Sequence, residues 1–257
     1  MYRLKNTLIL LFLIILVNGS CRNIFRKDLS LTLKEYQEKG MPDIDTAWPE
    51  DKLMKAHITL GSIRTKNLLK LPRRDSRKSG SVFSRILSKE NMSYLDDPSK
   101  SLQDKAYEIQ SMGSFINEVS RMYTDNFRAE QYYREELIDI YIFEMYVRKR
   151  MLEVAEQIMN SKDPEVIGMQ AGRKGIVNGY VNLIITMISY QEKTKAFSAR
   201  QLKKLNNEVS ISIKENIQYL DSENKLEISD EIKKITEKST SGSLKKTNEK
   251  MLRLLAD

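Results

Sequence analysis

The sequence predicts an all-α protein, an irregular bundle of about five to seven helices that follows a signal peptide and a tether. Apolar residues recur at three- and four-residue steps through most of the second half of the chain. No segment of strand length alternates convincingly between apolar and polar residues, since "VSISI" at 209–213 does so only inside a longer helical pattern. Prolines and a Ser/Gly-rich linker separate the periodic segments, as expected between helices.

The first strongly periodic segment begins near Ser101 and predicts an amphipathic helix. Asp97, Ser99 and Ser101 are alternative N-caps, because each carries a side-chain oxygen near the start of the pattern. Its predicted buried face is Leu102, Ala106, Ile109, Phe115 or Ile116, Val119 and Tyr123.

Residues 128–160 carry the strongest helical pattern. A heptad-like stripe, which Glu144 interrupts, consists of Tyr133, Leu137, Ile140, Val147, Met151, Val154 and Ile158. Further apolar side chains cover the other faces: Ile138, Tyr141, Ile142, Phe143 and Met145. A helix that is apolar nearly all round belongs in the middle of a bundle.

Pro164, with Asp163 as its cap, marks the start of the next helix, expected over about 165–194. Its segment "YVNLIITMISY" is too short to span a bilayer and predicts a buried core helix. Glycines at 172, 175 and 179 do not have the spacing of a phosphate-binding loop. They indicate close helix–helix approach, with a helix break at Gly172 as the alternative.

Three further helices complete the predicted bundle. The first covers about 198–220, with an apolar stripe of Leu202, Leu205, Val209, Ile213, Ile217 and Leu220. The second has Leu226, Ile228, Ile232 and Ile235, and the third has Leu244, Met251 and Leu255. "STSGS" at 239–243 is the linker between them.

The chain opens with the layout of a secretory signal peptide. Arg3 and Lys5 precede the unbroken apolar run from Leu8 to Val17, and small or polar residues follow it. This run is shorter than the roughly 20 apolar residues of a transmembrane helix, so an uncleaved signal anchor is the less favoured alternative. Without residues 1–20 the net charge falls from +8 to +6, because Arg3 and Lys5 are removed.

Cys21, the only cysteine, follows "NGS" at the end of this segment. A small residue directly before a cysteine resembles the bacterial lipoprotein signal, although Asn18 stands where an apolar residue is usual. The resemblance implies cleavage between Ser20 and Cys21 and acylation of the cysteine thiol. Two or more acyl chains suffice for stable membrane anchoring. The alternative is a plain signal peptide followed by a free thiol.

The composition argues against common catalytic and metal-binding chemistry. His57 is the only histidine and no cysteine follows Cys21, so a zinc site is not expected. The acidic cluster Glu135, Glu136, Asp139 and Glu144 lacks the histidines of bundle metal sites. We expect these acids to pair with Arg128, Arg134, Arg148 and Arg150 at the helix surface. No enzymatic activity and no cofactor are predicted.

A basic loop precedes the predicted bundle. Residues 68–81 gather Arg73, Arg74, Arg77 and Lys78, which predict either a polyanion site or a solvated loop. No aromatic residues are interleaved there, which makes nucleic acid an unfavoured partner. The predicted organisation is a signal peptide over 1–20, a tether with short helices over 21–100, and a helical bundle over 101–257.

Signal, composition and helical pattern together resemble the helical outer-surface lipoproteins of Lyme-disease spirochaetes. The features that carry the resemblance are the relaxed signal ending at Cys21, the Lys/Asn/Ile/Glu-rich chain and the scarcity of Cys, His and Trp. It implies a lipid-anchored surface antigen of the outer membrane, without enzymatic activity, that binds a host or vector protein. Self-association is an open second expectation. The alternative is a periplasm-facing lipoprotein with a structural or envelope-scaffold role.

Overall fold

The computed structural model describes residues 71–75, 80–124, 132–192 and 196–256. These residues contain no β-strand, and the all-α prediction is confirmed. Apart from short 3-10 segments and a one-turn helix, the helices are α1 Gly80–Ile86, α2 Leu102–Thr124, α3 Arg134–Asn160, α4 Arg173–Ser189, α5 Ala199–Asn216, α6 Ser222–Lys238 and α7 Gly242–Ala256. The predictions on Ser20, Cys21 and His57 lie outside the described residues.

The chain divides into two units, Met1–Asn91 and Met92–Asp257. In the first unit, the buried side chain of Asn91 caps the C-terminal end of α1. Its Nδ2 donates to the carbonyl oxygens of Arg85 at 2.7 Å and Ile86 at 3.5 Å. Carbonyl groups in the last turn of a helix lack hydrogen-bond donors within the helix, so the Asn91 side-chain amide donates these hydrogen bonds instead.

Ser101 is the side chain that caps α2. Its Oγ accepts a hydrogen bond from the Asp104 amide at 3.1 Å and donates to Asp104 Oδ2 at 2.7 Å. Asp97, a predicted alternative, instead accepts from the amide and the hydroxyl of Ser99 in the preceding turn. The cap therefore lies directly before the first helical residue, as capping geometry requires.

The predicted face of α2 is buried along most of its length. Ile116, rather than Phe115, is the core residue, since Ile116 is fully buried and Phe115 only half-buried. Leu102 is also half-buried, because it occupies the first turn. The remaining predicted residues are buried, and Met112 and Met122 join them.

Helix α3 is the central element of the second unit, as its all-round apolar surface predicts. Every residue of its heptad-like stripe is buried. It packs against α2, α4 and α5. Toward the end of α4, Tyr141 stacks on Tyr190 with ring centroids 5.1 Å apart, and their hydroxyl groups are hydrogen-bonded at 2.8 Å. Helix α3 is therefore held in the core by a buried hydrogen bond between two tyrosine hydroxyl groups as well as by apolar packing.

The segment between α3 and α4 differs from the single helix expected over 165–194. Asp163 caps as predicted, accepting from the Glu165 amide at 2.9 Å, but the helix it starts, Pro164–Ile167, has one turn. A 3-10 turn, Gln170–Gly172, follows before α4 begins. The alternative of a break at Gly172 is thus confirmed, consistent with the low helix propensity of glycine.

The prediction of close helix–helix approach at Gly172, Gly175 and Gly179 is mostly wrong. A Cβ added at Gly172 or Gly175 would meet nothing within 4 Å. A Cβ at Gly179 would lie 3.1 Å from Nη1 of Arg148, a side chain of α3. Of these three glycines, only Gly179 therefore has a neighbour on another helix, and that neighbour is a guanidinium group rather than a backbone.

Helix α4 is the predicted core helix. Its residues Tyr180, Ile184 and Ile188 are fully buried. Within the described parts of the chain, no helix is both long enough and apolar enough to cross a membrane.

The last three helices form close to their predicted positions. Ser198 and Gln201 make a reciprocal capping box at the start of α5. The prediction for Leu226 is wrong, because this side chain is 58% exposed. Leu226 precedes the buried Ile228 by two residues, or about 200° around a helix, which places it on the opposite face. Ile217 is only half-buried, and α7 starts inside the predicted linker, at Gly242.

The helices of the second unit pack in layers. Helix α2 packs mainly on α3, which packs in turn on α4 and α5. Helices α6 and α7 pair with each other, α6 also packing on α4 and α7 on α5. This arrangement leaves one face of α5 and one face of α7 exposed side by side.

Candidate interaction surface

The basic loop is described only in part. Arg73 and Arg74 are exposed, and Arg74 Nε lies 3.3 Å from Oδ1 of the neighbouring Asp75. Arg77 and Lys78 lie outside the described residues. The polyanion site predicted for these four residues therefore stays a prediction.

Two acidic residues of α3, Glu135 and Asp139, contact α5. Asp139 Oδ1 lies 2.8 Å from Lys204 Nζ, and Glu135 Oε1 accepts from Gln201 Nε2 at 2.7 Å. Arg150, expected to pair within this cluster, instead binds Asp96 at 2.6 Å. Among the described residues, no group of three Cys, His, Asp or Glu side chains is placed to hold a metal ion.

Glu144, which interrupts the apolar stripe, is a buried carboxyl group with a perturbed pKa. Burial raises its pKa to about 7, while Arg148 and a hydrogen bond with Ser120 act in the opposite direction. A pKa near neutrality often accompanies function. The groups around Glu144 join α3 to α2, however, which gives it a structural role in the bundle.

Arg148 extends this polar contact between α2 and α3. Its Nη2 donates to Asn117 Oδ1 at 3.0 Å, and its Nη1 lies 3.9 Å from the sulfur of Met151. The Nε atom is buried without a hydrogen-bond partner. Together with the neighbouring Gly179, these contacts fix the guanidinium group between helices.

A buried amide network joins four helices at the other side of the core. Gln191, directly after α4, donates to Asn206 of α5 at 2.9 Å and to Asn248 of α7 at 3.1 Å. Asn248 donates to Gln191 at 3.1 Å and to Thr236 of α6 at 2.9 Å. Buried polar groups are costly unless paired, so this network favours one mutual arrangement of these helices.

The exposed face of α5 has two edges with different charge environments. Lys204 and Glu215, eleven residues or about three turns apart, bind Asp139 and Lys149 of α3 at 2.8 and 2.9 Å. Lys203 and Lys214 have the same separation and follow the other edge. Asn206, three residues after Lys203, reaches the network with α7, which places this second edge on the α7 side.

Six of the exposed cations on α5 and α7 lack acidic partners. Among the described residues, no carboxylate lies within ion-pair distance of the exposed Arg200, Lys203, Lys214, Lys246, Lys250 and Arg253. We call these six residues the cationic face. Ile211, 49% exposed, lies on the exposed face of α5 between its two edges, three residues before Lys214 and four before Glu215. Several lysines elsewhere are paired, for example Lys100 with Glu108 and Lys234 with Glu231, whereas the exposed Lys162 and Lys174 are isolated single positions.

Charge is therefore segregated within the second unit. Residues 92–257 contain 25 basic and 26 acidic residues. Helices α5 and α7 together contain eight basic and three acidic residues, so the rest of the unit carries an excess of acid. Sequence reasoning missed this surface, because net charge along the chain looks evenly mixed. A local signal did exist, since neither Lys203 nor Lys214 has an acidic residue three or four positions away.

The chain matches no protein-family model, and comparison with curated proteins and with solved structures finds none that is similar to it.

Proposed function

We propose that the protein is a lipid-anchored bacterial outer-surface protein, without enzymatic activity, that presents its helical domain for protein binding at the host or vector interface. One observation carries the proposal: the basic start, the apolar run from Leu8 to Val17, and the small residues before the only cysteine. Acylation of Cys21 would hold the chain at a bilayer without a spanning helix.

The second unit supports the presentation part of the proposal. Its core is closed by apolar packing and by the amide network, with Asn248 fully buried. Its outer helices expose broad faces that the rest of the described unit leaves uncovered. Such a domain offers a binding surface made of rigid helices, which is the arrangement that favours precise recognition.

The competing proposal, a periplasm-facing lipoprotein with an envelope-scaffold role, shares the anchor and differs only in the side of the membrane. Proteinase treatment of intact cells separates the two. We expect the protein to be degraded while a periplasmic control protein survives. Survival of the protein until the outer membrane is disrupted would overturn surface presentation and favour the scaffold role.

The anchor itself is tested by replacing Cys21. We expect the wild-type chain, but not Cys21→Ser, to incorporate a fatty-acid analogue and to partition into the detergent phase. Asn23→Ser, a conservative change outside the proposed cleavage site, is a control for expression and export. Incorporation of the analogue into Cys21→Ser would show that the lipid is attached to another residue.

A further inference from the structure

The cationic face belongs to an unusual charge arrangement for a unit whose basic and acidic residues nearly balance. Helices α5 and α7 pack side by side and concentrate basic residues, while acidic residues predominate in the rest of the unit. The six exposed cations of the cationic face form no ion pair with a described residue. Like charges gathered on one surface repel one another, so the arrangement calls for an external negative partner.

We infer that the cationic face docks the helical domain onto an anionic lipid surface. This inference rests on the proposed lipid anchor, because an acylated Cys21 keeps the domain at a bilayer and raises its effective concentration there. Each Lys or Arg near an anionic bilayer contributes favourably to binding, and the contributions of several such residues add.

The length and composition of the face fit a bilayer. Helix α5 has 18 residues and extends about 27 Å, and α7 beside it has 15 residues. Lysine and arginine side chains on such helices can reach headgroups while the backbone stays outside the bilayer. Ile211 adds one half-exposed aliphatic side chain to the middle of the exposed face of α5, placed to enter the headgroup region.

Docking would also orient the domain. Helix α2 packs mainly on α3, and α3 separates it from α5 in the layer order. With the cationic face on the bilayer, α2 would lie across α3 from the docked helix α5. Helix α2 carries Tyr107, which is 55% exposed and would be available to a protein partner.

The test uses the chain from Arg22 to Asp257, which contains every described residue and lacks the proposed acylation site. Binding is measured by co-sedimentation with phosphatidylcholine vesicles that contain either no phosphatidylglycerol or about 30% of it, at low salt. We expect binding only to the anionic vesicles, with a partition coefficient that falls as salt is added.

Charge-reversal variants locate the surface. The double variants Lys203→Glu with Lys214→Glu, and Lys246→Glu with Lys250→Glu, should each lower the partition coefficient at least about tenfold. Lys162→Glu with Lys174→Glu is the matched control: it changes net charge equally at two exposed lysines outside α5 and α7. The helical circular dichroism signal shows whether each variant is folded. If Lys203→Glu with Lys214→Glu does not fold, the neutral double variant Lys203→Gln with Lys214→Gln takes its place.

A fluorescent label reports orientation, since the Arg22–Asp257 chain has no cysteine. An environment-sensitive dye on Ile211→Cys should shift to the blue with anionic vesicles, whereas the same dye on Gln110→Cys of α2 should not. The inference would be overturned by an equal fall of the partition coefficient in the control variant, or by the absence of vesicle binding at low salt. It would also be overturned by binding to a soluble sulfated polysaccharide or acidic protein without binding to vesicles. None of these results depends on Cys21 acylation or on proteinase accessibility, so they are separable from failure of the proposed function.

Discussion

Glu144 shows how a single residue can tie stability to pH. Its carboxyl group is buried within the interface of α2 and α3, and burial raises its pKa to about 7 from the usual 4.5. The folded state therefore holds a proton that the unfolded chain releases at lower pH. Stability from this group is fully present below about pH 4.5 and is lost as the pH rises through 7.

Glu144→Gln should remove this pH dependence, because the amide keeps the size and the polarity of the carboxyl group but does not ionise. At pH 8 we expect the variant to be more stable than the wild type by up to about 3 kcal/mol, and at pH 4.5 nearly equal. Urea denaturation across this pH range gives the difference in the free energy of unfolding.

Glu249→Gln, at an exposed position of α7, is the matched control and should give a flat difference profile over the same range. A Glu144→Gln profile as flat as that of the control would show that the carboxyl group of Glu144 ionises as easily in the folded protein as in the unfolded chain.

At the scale of the element, α4 contains two glycines with different surroundings. Gly175 is exposed and has open space where a Cβ would lie, whereas a Cβ at Gly179 would lie 3.1 Å from Arg148 Nη1. The guanidinium group is held in place by its hydrogen bond to Asn117. The two positions therefore separate helix propensity from packing within one helix.

Gly175→Ala should stabilise the protein by about 0.5–1 kcal/mol, because alanine is the better helix former. Gly179→Ala should gain less or destabilise, since Arg148 must move to admit the methyl group. Thermal unfolding of both variants provides the comparison. Equal gains at the two positions would mean that the Arg148 side chain yields without cost.

The elements themselves were largely predictable from the sequence. The stripes of α2 and α3 follow the helical period, and capping residues such as Ser101 and Ser198 start their helices. The helical period, applied strictly, also places Leu226, since this exposed residue lies off the face shared by Ile228, Ile232 and Ile235. The break before α4 was ambiguous, since glycine tolerates both helix and turn.

The candidate surface was less predictable than the elements. The cationic face depends on α5 lying beside α7, a contact between helices that α6 separates along the chain. The pairing of Asp139 with Lys204 likewise joins separate helices, so the rule of nearby oppositely charged residues within one helix did not find it. The tertiary arrangement, rather than the local pattern, decides which charges are left exposed without partners.

At the scale of the whole molecule, the crowded positive charges of α5 and α7 should cost stability. Lys203→Glu with Lys214→Glu should raise the midpoint of thermal unfolding at low salt, because it relieves repulsion and breaks no ion pair of the described residues. The gain should shrink as salt is added to about 0.5 M.

The double variant Lys162→Glu with Lys174→Glu, tested in parallel, has the same change of net charge at positions away from the two helices. A loss of stability in the Lys203/Lys214 variant, but not in this control, would show that the two lysines are held by favourable contacts.

The order of the packed helices has a consequence for folding speed. Each main helix pair in the second unit joins helices that are adjacent or one apart along the chain. Short loops in sequence close quickly, so a topology of this kind has low contact order and folds fast. A polypeptide that crosses a membrane unfolded and must acquire its structure on the far side would benefit, since little time is left for its apolar segments to aggregate.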